Sequence, residues 1–183
     1  MVQNIREIKS QLQFDGARPT LFSVQITNPA NGVADIKAPF MIESTVIPEL
    51  TIGTIQVPYF GRYIKLAGDR QYREWSVTVI NDEDFLIRNA LEEWSNKINS
   101  FEGNIRNFGS SSATEYKSRA IITQLSKTGN PLREYTFEGL FPVMISSIDL
   151  NWQPNDQIER FNTTFDYDYW TVTGGITGNA GGS

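Results

Sequence analysis

Asp166 and Asp168 stand two residues apart within the alternating run 159–170. On a strand that spacing puts both carboxylates on one face. Two carboxylates on one face are the minimum for a glycosidase or for part of a divalent-cation site, which would make the chain a carbohydrate-active β-domain. The pattern has little specificity, because any alternating strand with acidic residues produces it and Asp favours exposure anyway. Asn81-Asp82-Glu83-Asp84 is a second acidic cluster. It lacks the alternating ligands, central Gly and distal Glu of a calcium loop. It suits a helix start better, since Asn81 or Asp82 can accept from free backbone N–H groups and acidic residues favour the positive end of the helix dipole.

The 183 residues include no His and no Cys. A Ser-His-Asp arrangement, a Cys nucleophile, a disulfide and a thiolate metal site are all excluded. Glycines do not fall into a phosphate-binding pattern: neither GxGxxG nor GxxxxGK[ST] occurs. Lys65 and Arg70 flank Gly68, but turn chemistry accounts for that glycine. No GxSxG is present. Neither a catalytic constellation, a metal site nor a cofactor motif emerges, so the expectation is a non-enzyme without cofactors. Net charge is -5 and the 16 Lys and Arg form no basic run, which argues against a surface that grips nucleic acid.

The elements follow from periodicity and turn residues. With 11 Phe, 7 Tyr and 4 Trp, the composition leans toward strands. Ile5, Ile8 and Leu12 are spaced as in a helix, so residues 1–15 are read as a short helix or as an arm that orders only against a partner. Residues 21–27 and 33–42 read as a hairpin around the turn cluster 28–32. Residues 43–61 carry Ile47, Leu50, Ile52, Ile55, Val57, Tyr59 and Phe60, punctuated by Pro48, Gly53, Pro58 and Gly61. Proline is poorly tolerated in central strands, so an edge or projecting hairpin is expected. Such an apolar projection either folds over its own core or is covered by another subunit. Residues 62–67 read as a strand ended by a Gly68-Asp69 turn.

Trp75, Val77 and Val79 alternate with Glu74, Ser76 and Thr78, which marks 73–81 as a strand. Ile87, Leu91, Trp94 and Ile98 recur at helical spacing, so one amphipathic helix is expected at about 82–99, with Trp94 as a core anchor. After an irregular loop at 101–114, strands are expected at 115–127, 132–140, 144–152 and 159–170. The last should place Phe161, Thr163, Phe165, Tyr167 and Tyr169 on one face. Residues 173–183 form a low-complexity Gly-rich tail, read as flexible. The expected fold is mainly β: a small antiparallel β-barrel or two packed sheets, one flanking α-helix and an extended hairpin. A single domain at 16–172 lies between the arm and the tail. No apolar run is long enough for a membrane span, and the N-terminal residues do not form a secretory signal.

An ordered set of short blocks resembles one family. Gly16-Ala17-Arg18-Pro19 with Leu21-Phe22 comes first. Ala67-Gly68-Asp69-Arg70, Trp75-Ser76-Val77-Thr78-Val79 and Asn81-Asp82-Glu83 form a central block. Glu115-Tyr116-Lys117, Gly139-Leu140-Phe141-Pro142, Leu150-Asn151-Trp152 and Asp168-Tyr169-Trp170 follow in order. No single block is specific, but the ordered set is similar to the tail tube proteins of contractile-tailed bacteriophages, which are related to type VI secretion and pyocin tubes.

The resemblance implies a structural subunit of a virion that forms hexameric rings stacked inside a contractile sheath. The tube would be a conduit for DNA ejection and would pass double-stranded DNA and a tape measure protein. Sheath, baseplate and tail terminator proteins would be its partners, with assembly in the host cytoplasm and no membrane insertion. Alternative places in such a particle are a terminator or initiator ring, or a secretion-system tube. The hairpin at about 43–69 would reach the adjacent ring, with Ile47, Pro48, Leu50, Ile52, Ile55, Val57, Tyr59, Phe60 and Arg62 as its contact residues. An acidic lumen would slide past phosphates without gripping them, since every neutralised phosphate adds affinity. Glu74, Asp149, Asp166 and Asp168 are the candidate lumen acids.

Overall fold

The computed structural model describes residues 4–12, 16–106, 112–152 and 156–174. These residues form nine strands: β1 (Phe22–Ile26), β2 (Ile42–Thr45), β3 (Thr51–Tyr59), β4 (Arg62–Gln71), β5 (Trp75–Ile80), β6 (Ser118–Leu125), β7 (Pro131–Ile145), β8 (Arg160–Asp166) and β9 (Tyr169–Thr173). Helices are α1 (Ile5–Gln11), α2 (Ala38–Met41), α3 (Leu86–Ile98) and α4 (Ala113–Tyr116), with a 3-10 turn at Gly32–Ile36. None is long and apolar enough to cross a membrane.

The long strand β7 ties the body together. Its first part pairs with β6 and β9, and Phe141–Ile145 pairs with β8. Two antiparallel sheets therefore share it, ordered β1-β6-β7-β9 and β7-β8-β5-β2. The sheets keep open edges at β1, β2 and β9, so of the two expected forms the packed pair holds and the closed barrel does not. The bend falls at Gly139, which takes φ +73°. There the β6–β7 register shifts between Ser118 and Arg119. A Cβ at Gly139 would lie 2.1 Å from Asp168 Oδ2.

The core grows from alternation on β5 and β8. Trp75, Val77 and Val79 face inward opposite Phe165, Thr163 and Phe161, and all six are buried. Trp75 stacks on Phe137 with ring centroids 4.6 Å apart and lies 5.5 Å from Phe165. The helix α3 closes the core with Ala90, Leu91 and Trp94. Trp94 is fully buried, as expected of an anchor, and its Nε1 donates to the Tyr116 carbonyl at 2.9 Å. Indole burial is tolerated because that one donor is satisfied.

Several expected strands end elsewhere or do not form. Residues 33–42 enter the 3-10 turn and α2 before reaching β2. Local polar bonds override alternation here: Asn31 caps Val33 N, and the Asp35 carboxylate accepts from Asn28 N at 3.1 Å. The acceptance by Asp35 comes at the cost of partial burial, which pushes its pKa up. Gly139-Leu140-Phe141-Pro142 bends β7 without ending it. Residues 146–150 are irregular: Ser146 still bonds Asn162 of β8, and beyond it the segment pairs with no strand among the described residues. Glu115 and Tyr116 lie in α4 and do not open β6. The expected strand at 159–170 breaks at Tyr167-Asp168 into β8 and β9, which belong to different sheets. The helix expected from 82 starts at Leu86, and Asp84 Oδ1, not Asn81 or Asp82, accepts from its N–H at 3.0 Å. Gly68-Asp69 does not turn the chain; β4 continues through it with a register shift against β3.

Candidate assembly interface

β3 and β4 form a sheet of their own, outside the shared-strand body. Their connection is the two-residue loop Phe60-Gly61 between paired Tyr59 and Arg62. Both loop residues take positive φ, +41° and +78°, as the strand twist demands of the shortest hairpins. Glycine adopts that geometry freely, whereas an aromatic does so only under strain. Near the base, Gly53 faces the two residues Gly68 and Asp69, a bulge in which β4 carries the extra residue. A Cβ on Gly68 would stand 3.1 Å from the Gly53 carbonyl, so close backbone approach explains this glycine.

The pairing sorts side chains by face. Ile55 is opposite Leu66, Val57 opposite Ile64, and Tyr59 opposite Arg62, and directly opposed residues share a face. One face of the hairpin is therefore almost wholly apolar. The other bears Thr54, Gln56, Pro58, Tyr63, Lys65 and Ala67. Ile55, Val57, Tyr59, Ile64 and Leu66 are all exposed, and Phe60 at the tip is 92% exposed. Residues 51–71 carry Arg62, Lys65 and Arg70 against Asp69, a net +2 on a chain of -5. The hairpin is thus a basic, apolar arm on an acidic body.

The arm has a firm root. Trp75 Nε1 donates to Thr45 Oγ1 at 2.9 Å and to the Val46 carbonyl at 3.2 Å. Arg73 and Glu49 pair at 2.6 Å, and Tyr72 meets the Tyr167 ring edge-on at 5.9 Å. Tyr167 is buried, which pushes its phenol up to about 12, with Asp166 adding to the shift.

Of the expected hairpin residues, Ile52, Ile55, Val57, Tyr59, Phe60 and Arg62 lie on the hairpin proper and are exposed. Ile47, Pro48 and Leu50 lie in the stem before it, where Ile47 and Leu50 are exposed and Pro48 is half-buried. The β4 half, Tyr63, Ile64 and Leu66, was absent from the expected set. Its signal was the Phe60-Gly61 pair at a two-residue hairpin spacing.

The four candidate lumen acids lie on different elements. Glu74 stands at the hairpin root, just before β5, and Asp149 lies in the irregular segment after β7. Asp166 ends β8 and accepts from Tyr167 N at 2.9 Å. Asp168 sits in the crossover to β9 and pairs with Lys117 at 2.5 Å. The carboxylates of Asp166 and Asp168 therefore do not form the one-face pair that alternation suggested, because the strand ends between them. Among the described residues no three His, Cys, Asp or Glu side chains gather as a metal cluster. An acidic pair does occur on one outer face, at Glu134 and Glu138 of β7, with Arg119 4.0 Å from Glu138.

Comparisons with known proteins agree on what this body is. A family model described as phage tail tube protein matches residues 17–173. The tail tube protein gp19 of Enterobacteria phage T4 is 32% identical over 157 residues, covering 85% of this chain and 91% of that protein. A tail tube protein of Serratia phage KSP90 is 27% identical over 124 residues, covering 68% of each chain. Among solved structures, the tube-terminating cap of the anti-feeding prophage superposes with a TM-score of 0.64 at 18% identity, covering 88% of this chain and 92% of that one. A sheath–tube complex of an extracellular contractile injection system superposes at 0.61 with 16% identity, covering 94% and 99%. Those two likenesses are of fold. The match along nearly the whole β body shows that the chain belongs to the phage tail tube protein family.

Proposed function

We propose that this chain is the repeating subunit of a tail tube, closing into hexameric rings that stack inside a contractile sheath and conduct DNA. The observation that carries the reading is the β3–β4 hairpin, a rooted arm with one apolar face that stays bare among the described residues. In water such a face is an aggregation hazard unless a neighbour buries it. Open edges at β1, β2 and β9 supply backbone groups that ring closure can pair. A head-to-tail contact that closes makes a ring, and stacking extends it. Residues 16–172 act as one tube domain behind the 1–15 arm. Ile5 and Ile8 of α1 and the adjacent Leu12 are exposed, which supports an arm that docks on a partner.

Sheath, baseplate and terminator proteins are the partners of such a tube, assembled in the host cytoplasm, with DNA and a tape measure protein passing through. The lumen-facing side is acidic and repels the phosphates it passes; Glu74, Asp149, Asp166 and Asp168 are its candidates, and Glu134 and Glu138 join them. Negative-stain electron microscopy of the purified chain, with light scattering of the same sample, tests the assembly. Rings or stacked tubes with an open lumen are expected. A strictly monomeric chain at high concentration overturns the subunit reading. A cryo-EM map whose lumen is lined by Lys and Arg overturns the acidic lining alone.

A further inference from the structure

The hairpin root and a second uncovered surface sit at opposite ends of the same strand pair. β2 and β5 are antiparallel, with Ile42 opposite Val79 and Thr45 opposite Val77. Thr45 and Trp75 therefore mark one end, where the hairpin leaves. Met41, at the end of α2, and Asn81 mark the other, about 20 Å away at the rise of six strand residues. At that far end the 3-10 turn and α2 present Val33, Ile36 and Phe40, spaced three and four apart, with Ile36 80% and Phe40 83% exposed. Phe85 is also exposed, at the head of α3 and next in the chain to Asp84, which pairs with Lys37 of this region.

The same patch is acidic. Asp82, Glu83 and Asp84 stand between Asn81 and Phe85, and Lys37 ties this loop to the root of α2 through Asp82 at 2.7 Å and Asp84 at 2.5 Å. One cation against three carboxylates leaves a net -2. Lys37 holds both Asp carboxyls below their ordinary range. Phe85 takes φ +50°, a conformation that strains a bulky residue. Phe60 at the hairpin tip takes φ +41° in the same way. Two aromatics are held exposed where Asn or Gly would relax the backbone, one at the hairpin tip and one at the far end of the β2–β5 pair.

We propose that the hairpin of one copy docks by its apolar face on the Ile36–Phe40–Phe85 patch of the next copy, with Arg62, the cation on that face, meeting the Asp82–Asp84 loop. The inference rests on the tube-subunit reading and names its acceptor surface. The occupant is a second copy because the two surfaces match in kind. Both are apolar with a charged border, the borders are opposite in sign, and the 51–71 arm is the basic, apolar element that the acidic patch lacks. Their placement at opposite ends gives a contact that cannot satisfy itself within a pair. Each copy keeps a free arm at one end and a free patch at the other, so copies add along the β2–β5 direction.

Absence of Cys makes the test clean. In the full chain, Phe60→Cys and Phe40→Cys are introduced together, and each is introduced alone. Under mild oxidation the double variant is expected to give a ladder of covalent multimers, while each single variant stops at dimer or monomer. In parallel, Arg62→Glu is expected to raise the concentration needed for stacking by about tenfold or more, since like charges across an interface repel strongly. Adding Glu83→Lys should recover most of that loss. All four positions are exposed, so folding is checked by unchanged circular dichroism. Wild-type tubes that give no ladder from the double variant, with no rescue by Glu83→Lys, overturn the acceptor assignment and leave the tube reading intact. Wild-type chain that forms neither rings nor tubes overturns the tube reading, and this docking with it.

Discussion

Gly139 shows how one residue sets the shape of the body. It permits the bend in β7, and it leaves room for the Asp168 side chain that pairs with Lys117. Substitution by Ala adds a Cβ at positive φ and against Asp168 together. Gly139→Ala is expected to destabilise the chain by about 1–3 kcal/mol, read as a lower urea midpoint. An unchanged midpoint would mean that the β7 bend is relaxed elsewhere. Phe60 and Phe85 pose the converse case. Local backbone preference argues against an aromatic at either site, and the docking proposed above would give both side chains a contact that offsets the strain. Phe60 was legible in the sequence as an apolar residue in a proline-punctuated stretch. Phe85 was not, because nothing in the spacing announces a positive φ.

Elements differ in how their boundaries are decided. The α3 stripe was readable because Ile87, Leu91 and Trp94 repeat at the helical period and meet one core. Its start was not, because Asp82, one of the expected caps, pairs with Lys37 of the α2 region, distant in sequence, and Asp84 accepts from the first helical N–H in its place. That cluster has a pH signature. Asp82 and Asp84 lie below their ordinary value of 3.8 in the folded chain, so their contribution is present above that pH and fades as pH falls below it. Lys37 lies above its ordinary 10.5, so its share persists until pH rises through that range. Lys37→Met is therefore expected to lower the melting temperature at pH 7, and the gap to wild type should narrow at pH 3. A gap that is equal at both pH values would show that the loss is of packing and not of charge. The strand expected at 144–152 holds only to Ile145 for a different reason: alternation at Ile148, Leu150 and Trp152 finds no partner strand among the described residues, and a strand exists only through pairing.

On the scale of the molecule, the chain divides into a self-sufficient body and an arm that contributes no core. No buried core residue belongs to residues 51–71. Replacing 51–71 with a short Asn-Gly turn, keeping Glu49, Arg73 and Trp75, is expected to leave the melting temperature of the body within a few degrees, because a surface change away from the core shifts stability little. The same variant should no longer stack, as seen by electron microscopy and sedimentation. A variant that still forms long tubes would show that the arm is not the inter-ring contact.

The sequence by itself determined the class of the fold, the one long amphipathic helix, the apolar arm and the family, because periodicity, turn residues and block order are local properties. It also determined the absence of His and Cys chemistry. Only the tertiary structure decided that Asp166 and Asp168 part company at a sheet crossover, that β7 serves two sheets, and that the arm and the acidic patch occupy opposite ends of one strand pair. Each of those depends on which strand pairs with which. Pairing is set by contacts between residues far apart in the chain, whose energies no single stretch of sequence contains.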